Sequence, residues 1–415
     1  IFMKIAVIGS GISGLSAAHF LSKKHKVDLF EKNNHFGGHA YTAEVLEGNS
    51  SKLISLDLGF IVFNKATYKN LINFFDELKV EYEKSDMSFA VSVKNSNIEY
   101  SGTGLRGLFS NKLNIFNLNF LKMINEIISF YKSAENINEK NYKDKTLEDF
   151  LKLKKCSNYF INFHLIPMVA AIWSMPPNLA RKIPMGLFLN FFKNHGLFKV
   201  KNRPQWYTVT GRSKVYVNKV LKTISGEYFK NYEVNKVERN KKNIRIFYGS
   251  LNEYFDYDKV VFATHADDTL KLIQDPTEME RNILGSFKYK LNTAYLHNDI
   301  NLMPNRKNAW SSWNSILDKK DVNKNCVTYW LNKLQNLHTN NNYFLTLNPI
   351  FRIDDNKIIK KIEFSHPFYD IQSINAQKKL SELQGVKNSW FCGSYFGYGF
   401  HEDGLKSALN IVNKI

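Results

Sequence analysis

The chain has 415 residues, of which 44% are hydrophobic and 14% aromatic, and it carries a formal net charge of +19 at pH 7. That much apolar material forms a large buried core, which excludes a disordered or fibrous protein. The chain has only three cysteines, so we expect no disulfide framework and a cytoplasmic location. None of them forms a C-x-x-C pair, so we expect no metal site. No run of about 18 apolar residues predicts a membrane span, and the first residues lack the pattern of a signal peptide.

The chain opens on a strand–turn–helix–strand unit. Residues 4–8 form the short apolar run of a buried parallel strand, and residues 15–22 have helical spacing of their apolar side chains. Between them lies a G-x-G-x-x-G turn over residues 9–14. A second strand is predicted at residues 27–31, and it ends in an acid. This full context is what a bare glycine motif lacks, so the unit predicts a dinucleotide site.

Each residue of the unit has a physical task. Gly9 permits the tight turn, Gly11 lets the backbone approach a pyrophosphate, and Gly14 lets the helix pack on the strand. The helix amides, beginning at Ile12 and Ser13, present donors and a positive dipole end to phosphate. Glu31 lies where a carboxylate accepts the ribose hydroxyl protons, and its charge would repel the 2′-phosphate of NADP.

Two further glycine-containing segments follow this unit. Lys32 is followed by Gly37-Gly38-His39, a glycine pair of the kind that a longer dinucleotide needs where the backbone passes close to it. Leu58-Gly59-Phe60 then gives another strand end with a glycine. We include these residues in the predicted cofactor site.

The remainder of the chain alternates between helical and extended patterns. Apolar spacing predicts a helix over residues 65–80 and a strand over residues 89–93, and residues 104–200 are helical with a break at Trp173-Ser174-Met175-Pro176-Pro177. Later strands are expected at 287–297, 325–332, 343–347 and 358–364.

Several blocks along the chain together resemble a known family. They are Asp57-Leu58-Gly59-Phe60, Trp206-Tyr207-Thr208-Val209, Ala309-Trp310-Ser311-Ser312-Trp313-Asn314, Val327-Thr328-Tyr329-Trp330-Leu331-Asn332, Trp390-Phe391-Cys392-Gly393-Ser394-Tyr395 and His401-Glu402-Asp403-Gly404-Leu405. The pattern is similar to the FAD-dependent amine oxidase and phytoene desaturase superfamily. Within it, the blocks most resemble the bacterial flavoproteins that are like the N-terminal flavin domain of plant cyclopropane-fatty-acid synthases.

The resemblance implies an α/β fold with a discontinuous Rossmann-like FAD-binding domain and an interleaved α+β substrate domain. The FAD-binding domain would comprise residues 1–64, 204–264 and 385–415, and the substrate domain residues 65–203 and 265–384. The resemblance also implies a second group of FAD contacts: Val234 at the adenine, Ala263, Thr264 and His265 at a strand end, Gly393-Ser394 where the family commonly has Gly-Asp, and Asp403, Gly404 and Leu405 at the start of the last helix.

Flavoenzymes of this kind move a hydride from carbon to flavin N5, so no obligatory acid–base pair is expected. The polar candidates for catalysis are His401, before the last helix, and His366, after a strand of the substrate domain. His401 as an imidazolium would stabilise reduced flavin, whereas the alternative is a capping or packing role. The predicted substrate-lining aromatics are Tyr395, Phe396, Tyr398, Phe400 and Trp330.

These observations predict an FAD-dependent oxidoreductase acting on an apolar small molecule, a lipid acyl chain in particular. Two alternatives stay open: a flavin-dependent amine oxidase, and a non-catalytic flavoprotein partner of a lipid-modifying methyltransferase. The basic runs accompany no nucleic-acid-binding module, so we expect no nucleic-acid partner. The net charge of +19 then reflects either AT-rich coding bias or attraction to the anionic inner face of a membrane.

Overall fold

The computed structural model describes residues 2–48, 51–249 and 253–415. The strands of these residues are β1 Lys4–Ile8, β2 Lys26–Glu31, β3 Thr42–Leu46, β4 Leu53–Asp57, β5 Phe63–Asn64, β6 Tyr82–Ser85, β7 Phe89–Lys94, β8 Glu99–Ser101, β9 Trp206–Val209, β10 Tyr228–Lys230, β11 Val234–Arg239, β12 Ile244–Tyr248, β13 Glu253–Tyr257, β14 Lys259–Phe262, β15 Lys288–His297, β16 Trp313–Asp318, β17 Asp321–Trp330, β18 Phe344–Leu347, β19 Ile358–Phe368 and β20 Ser389–Phe391.

The α-helices are α1 Ile12–Ser22, α2 Lys69–Glu77, α3 Gly104–Leu108, α4 Leu118–Glu135, α5 Leu147–Leu153, α6 Asn158–Phe160, α7 Ile166–Ile172, α8 Pro177–Ala180, α9 Met185–Asn194, α10 Lys214–Leu221, α11 Ala266–Leu272, α12 Glu278–Leu284, α13 Leu331–Leu334, α14 Ile371–Gln377 and α15 His401–Val412. Short 3₁₀ turns occupy Lys112–Phe116, Glu139–Tyr142, Ile300–Leu302, Lys307–Ala309, Asp355–Lys357, Leu380–Leu383, Val386–Asn388 and Ser394–Phe396, and Ile161–Leu165 is π-helical.

A five-stranded parallel sheet forms the dinucleotide-binding half, in the order β10-β2-β1-β14-β20. Successive side chains of β1 enter different cores, because neighbouring residues of a strand point to opposite faces. Ile5 and Val7 pack with α1, α2, α10 and α15, whereas Ala6 and Ile8 pack with β12, β13 and α12. The sheet is therefore covered on both faces, as parallel sheets require, and the predicted Rossmann-like α/β fold is confirmed.

The other half combines a seven-stranded mixed sheet with a helical bundle. The sheet has the order β19-β15-β18-β17-β16-β7-β8, in which β16 and β7 are parallel and the other pairs are antiparallel. Helices α4 to α9 share one aromatic-rich core with β7 of this sheet. The break predicted at Trp173 falls between α7 and α8.

The packing differs in detail from the predicted segments. Helix α2 is shorter than the predicted 65–80, and its Leu71 and Phe74 pack in the core beside the parallel sheet. Ile283 and Leu284 of α12 join the core on the sheet's other face. Two stretches assigned to the substrate domain therefore cover the dinucleotide-binding sheet, because both faces of that sheet need apolar partners. Among the described residues, no helix combines the length and apolar composition that crossing a membrane requires.

Candidate dinucleotide and substrate site

The glycine turn after β1 is made by close backbone approach. A Cβ at Gly14 would lie 1.8 Å from the carbonyl oxygen of Gly9 and 3.1 Å from Cβ of Ala263, so α1 reaches the sheet only with glycine there. At Gly11, by contrast, a Cβ would meet no atom within 4 Å. Gly11 precedes α1 and provides no side-chain cap, so it leaves the first amides of the helix without a side-chain acceptor.

The predicted partners of this turn lie against it. The amide of Gly37 donates to the carbonyl of Ser10 over 3.1 Å, and a Cβ at Gly38 would lie 3.0 Å from Cα of Gly11. The amide of Ala263 donates to Ile8 over 2.8 Å, which sets Ala263 and Thr264 beside the turn. The structure thus assembles segments far apart in the sequence around one backbone-lined site.

Glu31 ends β2 next to the turn, as predicted, but its carboxylate already has protein partners. It accepts hydrogen bonds from the amide and hydroxyl of Ser10 at 3.1 and 2.5 Å, and from the amide and side chain of Asn33 at 2.9 and 2.8 Å. A ribose hydroxyl would replace one of these donors. The amide of Tyr232 donates to the Glu31 carbonyl over 2.9 Å, which brings Val234 to the same end of the sheet. Lys32 lies 3.7 Å from Asp268.

His401 lies at the start of α15, whose Gly404 packs against Ile12 of α1. Its ring stacks on Phe60 with centroids 3.7 Å apart, and its Nε2 is 3.1 Å from the Tyr216 hydroxyl. Burial holds the pKa of His401 well below its usual range, because a charged ring would lose its hydration. The lowered pKa and the stacked, buried ring favour the packing role, which is the alternative stated for His401, over an imidazolium.

Helix α15 begins three residues before Gly404, the predicted start. The amides of Asp403 and Gly404 both donate to the Phe400 carbonyl over 3.1 Å, so the amides that lack an intrahelical acceptor are the earlier ones, at His401 and Glu402. The Asp403 carboxylate accepts from the Phe400 amide over 3.0 Å, which satisfies the backbone donor that precedes the helix. Burial raises the pKa of Asp403 to about 7. Gly404 and Leu405 instead pack inward, Gly404 facing Ile12 of α1.

Three predicted histidines meet between the two halves of the molecule. The His39 ring lies 5.1 Å from His366 and 6.3 Å from His265. Burial lowers the pKa of His39 and of His265 to about 4, and that of His366 well below its usual range. All three are neutral at pH 7, so this histidine cluster offers hydrogen bonds without charge.

Each ring of the cluster is oriented by its neighbours. Nδ1 of His366 lies 2.7 Å from the Asn292 side chain, and His265 stacks on Tyr289 at 4.2 Å. Nε2 of His39 is buried without a hydrogen-bond partner among the described residues. An unpartnered buried nitrogen is costly unless a ligand or water satisfies it, so His39 faces a position that a ligand would occupy.

The predicted substrate-lining aromatics separate into three places. Tyr398 and Phe400 face the helical bundle: the Trp173 indole donates to the Tyr398 carbonyl over 3.2 Å, and Phe400 stacks on Phe191 at 5.0 Å. Tyr395 and Phe396 pack instead into the core of the parallel sheet.

Trp330 lies in neither place. Its ring meets Trp310 at 5.4 Å, and its indole donates to Asn342 over 2.9 Å. Tyr395, Phe396 and Trp330 therefore do not share the aromatic contacts of Tyr398 and Phe400, and their substrate-lining role stays a prediction. The alternation of glycine with aromatic residues did not indicate which rings turn toward which core.

The remaining strand-end residues also have definite partners. The amide of Phe60 donates to the His39 carbonyl over 2.7 Å, and the amide of Leu58 donates to Tyr41 over 2.9 Å. The Gly393 amide donates to the Ser407 hydroxyl over 2.9 Å. The Ser394 carbonyl accepts from the amides of Gly397 and Gly399 at 3.1 and 3.2 Å, so Ser394 shapes the loop that leads into α15.

Two acids near the site were not among the predicted site residues. Glu402 accepts from the amides of Asn70 and Leu71 at 3.0 and 2.9 Å, so it caps α2 from α15. Asp57 accepts from Ser213 and Thr42 at 2.7 and 2.6 Å, and burial raises its pKa to about 6. Asp57 stood in a recognised sequence block, but its partners come from distant segments that no local pattern identifies.

One group of side chains has the chemistry of metal ligands. His265, Asp267 and Asp268 place ligand-capable atoms within 4.8 Å of one another. Asp268 also forms ion pairs with Lys32 and Lys271. These two lysines already balance the negative charge that would attract a metal ion. The group therefore does not overturn the prediction that the chain uses no metal.

The residues present fit FAD. The open space at Gly11 and the uncapped start of α1 suit a diphosphate, and the Gly37–Gly38 turn extends the backbone-lined surface beyond it. The unpartnered Nε2 of His39 and the early amides of α15 are further groups that could contact the cofactor. Residues 9–14 would hold the phosphates and the start of α15 would lie at the flavin end.

Comparison with known proteins agrees with this geometry. Residues 7–78 match the family described as NAD(P)-binding Rossmann-like domain. A stretch of 37 residues is 60% identical to 4,4'-diapophytoene desaturase (4,4'-diaponeurosporene-forming) of Staphylococcus aureus (strain Newman), covering 9% of this chain and 7% of the desaturase.

Solved structures are similar over the whole chain. The CLA-producing fatty acid isomerase from P. acnes has a TM-score of 0.66 at 13% identity, covering 100% of this chain and 98% of the isomerase. Putrescine oxidase bound to putrescine has a TM-score of 0.69 at 12% identity, covering 100% and 99%. Cyclohexylamine oxidase from Brevibacterium oxydans IH-35A has a TM-score of 0.66 at 14% identity, also covering 100% and 99%.

These likenesses confirm the fold that the resemblance implied. The chain contains a Rossmann-like dinucleotide-binding domain, and it has the overall architecture of the amine oxidases. FAD is the cofactor that the glycine turn and the backbone-lined surface around it fit.

Proposed function

We propose that this protein is an FAD-dependent oxidoreductase that removes a hydride from a carbon atom of an apolar substrate, a lipid acyl chain. The observation that carries the substrate class is the aromatic boundary between the start of α15 and the helical bundle. There Phe400 stacks on Phe191, and Trp173 holds the Tyr398 backbone. An apolar chain that entered this boundary would exchange contacts between aromatic rings for contacts between those rings and the chain. Few polar groups would lose a hydrogen-bond partner, so the free-energy cost would be small.

The chain's own residues would bind, orient and exclude water. The first amides of α1 and the open backbone at Gly11 would hold the diphosphate. The amides of His401 and Glu402 would stabilise negative charge at the flavin end. Bound FAD supplies the acceptor for the hydride, and oxygen or another acceptor would take the electrons afterwards.

The buried histidines of the candidate site support hydride removal from an uncharged substrate. His39, His366 and His401 all have pKa values lowered by burial, so at neutral pH none of them presents a positive charge to the substrate. Hydride transfer from carbon needs a positioned C–H bond and a dry site more than a charged acid or base. The fatty acid isomerase with the same fold makes an acyl substrate chemically reasonable here.

Amine oxidation is the second candidate, and Asp403 is the observation that favours it. Its carboxyl, with a pKa raised to about 7, would be partly ionised at neutral pH and lies in the first turn of α15, three residues after Phe400. A carboxylate there could pair with a substrate ammonium, as the folds of putrescine and cyclohexylamine oxidases would allow. The backbone amides of Phe400 and Tyr398 already donate to this carboxylate.

The test begins with the purified protein, its visible spectrum and the mass of what co-purifies. FAD should be present, and its absence from folded protein would contradict the central proposal. Anaerobic mixing with fatty acids and phospholipids, and separately with putrescine and cyclohexylamine, should bleach the flavin with the acyl compounds. Bleaching by the amines alone would establish the second candidate. Oxidised flavin under every substrate would favour a non-catalytic partner of a lipid methyltransferase.

A further inference from the structure

An apolar ridge projects from the helical bundle into solvent. We define it as Leu113, Ile115, Phe116, Leu118 and Leu121, which are 61%, 48%, 83%, 81% and 37% exposed. Five large apolar side chains therefore reach solvent within nine consecutive residues. Single exposed apolar residues are ordinary, but a contiguous group marks an interaction surface.

Buried asparagine side chains anchor the segment that carries the ridge, so that its apolar side chains face solvent. Asn111 and Asn114 are buried, and their amides donate to the carbonyls of Asn97 and Glu99 at 2.8 and 3.4 Å. Asn117 accepts from the Phe120 amide over 3.2 Å and caps α4. The ordinary arrangement of apolar side chains inside and amides outside is reversed here, so the apolar exposure is built into the structure.

The segment around the ridge has a single sign of charge. Between Glu99 and Glu126 the chain contains no acid, but it contains Arg106, Lys112 and Lys122, and all three are exposed. The opposite face of α4, with Phe120 and Met123, is buried in the bundle core. Helix α4 is thus anchored on one side, and its other side presents apolar groups flanked by cations.

We propose that the ridge docks this protein on an anionic lipid bilayer, its apolar side chains among the acyl chains and its cations at the headgroups. Exposed apolar residues flanked by lysine and arginine are the composition of interfacial membrane-binding segments. A second copy of the chain fits less well, because a twofold contact of the ridge with itself would bring like cations together. This docking does not depend on the proposed substrate. It would give part of the net charge of +19 a function, which is attraction to anionic headgroups.

The test is flotation of the intact flavoprotein with vesicles of phosphatidylcholine alone or of phosphatidylcholine mixed with phosphatidylglycerol. We expect wild-type protein to float with the anionic vesicles, less so at high salt, and to remain unbound with the neutral ones. The double substitution Phe116→Asp/Leu118→Asp should lower the partition coefficient by about tenfold or more. Ile300→Asp, at an apolar residue 55% exposed outside the ridge, is the matched control and should float like wild type.

A gain-of-signal variant keeps the test decisive if the double variant folds poorly. Phe116→Trp should shift its fluorescence to shorter wavelength when anionic vesicles are added, because an indole entering the interface leaves water. Lys112→Glu/Lys122→Glu should weaken binding to anionic vesicles without changing the flavin spectrum. The proposal is overturned if wild type fails to float or if Phe116→Asp/Leu118→Asp floats as well. It is also overturned if gel filtration shows a dimer that this variant dissociates, since the ridge would then be a self-association surface.

Discussion

The two ends of the candidate site are built in different ways. Around Gly9 to Gly14 the site is backbone: α1 approaches the sheet so closely that a Cβ at Gly14 would overlap the Gly9 carbonyl. Around α15 the site is side chain: His401 stacks on Phe60, and the histidine cluster of His39, His265 and His366 lies buried and neutral.

The difference explains which features of each end a sequence pattern can indicate. A backbone-built site needs particular residue types at fixed spacing, since glycine alone tolerates such close approach. A side-chain-built site depends on what surrounds each ring, and burial can reverse the charge state expected from the residue type. Substitutions at the two ends should therefore have different consequences.

The largest effect is expected at the glycine turn. Gly14→Ala should destabilise folding by about 3 kcal/mol, because the new methyl group meets a carbonyl 1.8 Å away. Gly11→Ala should keep the stability of wild type, since nothing lies within 4 Å, yet lose most of the bound FAD. Urea unfolding and the flavin-to-protein absorbance ratio measure the two effects.

Gly102→Ala serves as the control, because Gly102 also has no atom within 4 Å of a Cβ but lies outside the predicted site. It should change neither measurement. Full FAD retention by Gly11→Ala would show that the diphosphate does not lie over this turn.

The next effect concerns the pH dependence of stability and tests Asp403. Its folded pKa of about 7 lies above the ordinary 3.8, so between these values the folded state binds more protons than the unfolded state. This carboxyl therefore lowers the free energy of unfolding as pH rises from 3.8 to about 7, by about 2 kcal/mol or more. Asp403→Asn, which still accepts the bond from the Phe400 amide, should remove that loss.

Urea unfolding across this pH range, for wild type and Asp403→Asn, gives the difference curve. The neutral histidines contribute the opposite slope, because His39 with a folded pKa of about 4 destabilises as pH falls below its ordinary value. The contribution of the histidines to the free energy of unfolding is the same in both proteins, so it cancels in the difference. Substitution of the exposed Asp144 by Asn provides the control, and a difference curve that is flat for Asp403→Asn would mean that its carboxyl is not buried as described.

The smallest effect is expected at His401. If the ring only packs, His401→Phe should shift the two-electron flavin potential by less than about 30 mV, the equivalent of a tenfold change in equilibrium. An imidazolium stabilising reduced flavin would instead give a larger drop in potential. Stability should fall by about 1 kcal/mol, because the Tyr216 hydroxyl loses its partner at 3.1 Å.

The double substitution His401→Phe/Tyr216→Phe should restore part of that stability, since it removes the buried hydroxyl as well. A potential that falls well beyond 30 mV in His401→Phe would return the residue to a catalytic assignment. Thermal unfolding and equilibrium redox titration measure the two quantities.

The sequence by itself determined the parts of this protein that follow local rules. The motif Gly9-Ser10-Gly11-Ile12-Ser13-Gly14 and the apolar strand before it were sufficient for the parallel sheet, the glycine turn and the dinucleotide cofactor. These features are readable because backbone geometry restricts the residue types and their spacing. The long helical stretch from 104 to 200 was also recognisable from its apolar periodicity.

Only the tertiary structure decided the rest. It neutralised His401 and His366 by burial, turned Tyr395 into the core of the parallel sheet, and brought Glu402 to the start of α2. It also turned Asn114 inward and Phe116 outward at the ridge, against the usual preference of both residue types. Each of these outcomes depends on neighbours supplied by distant segments, and a charge state or a side-chain direction is a property of those neighbours rather than of the residue alone.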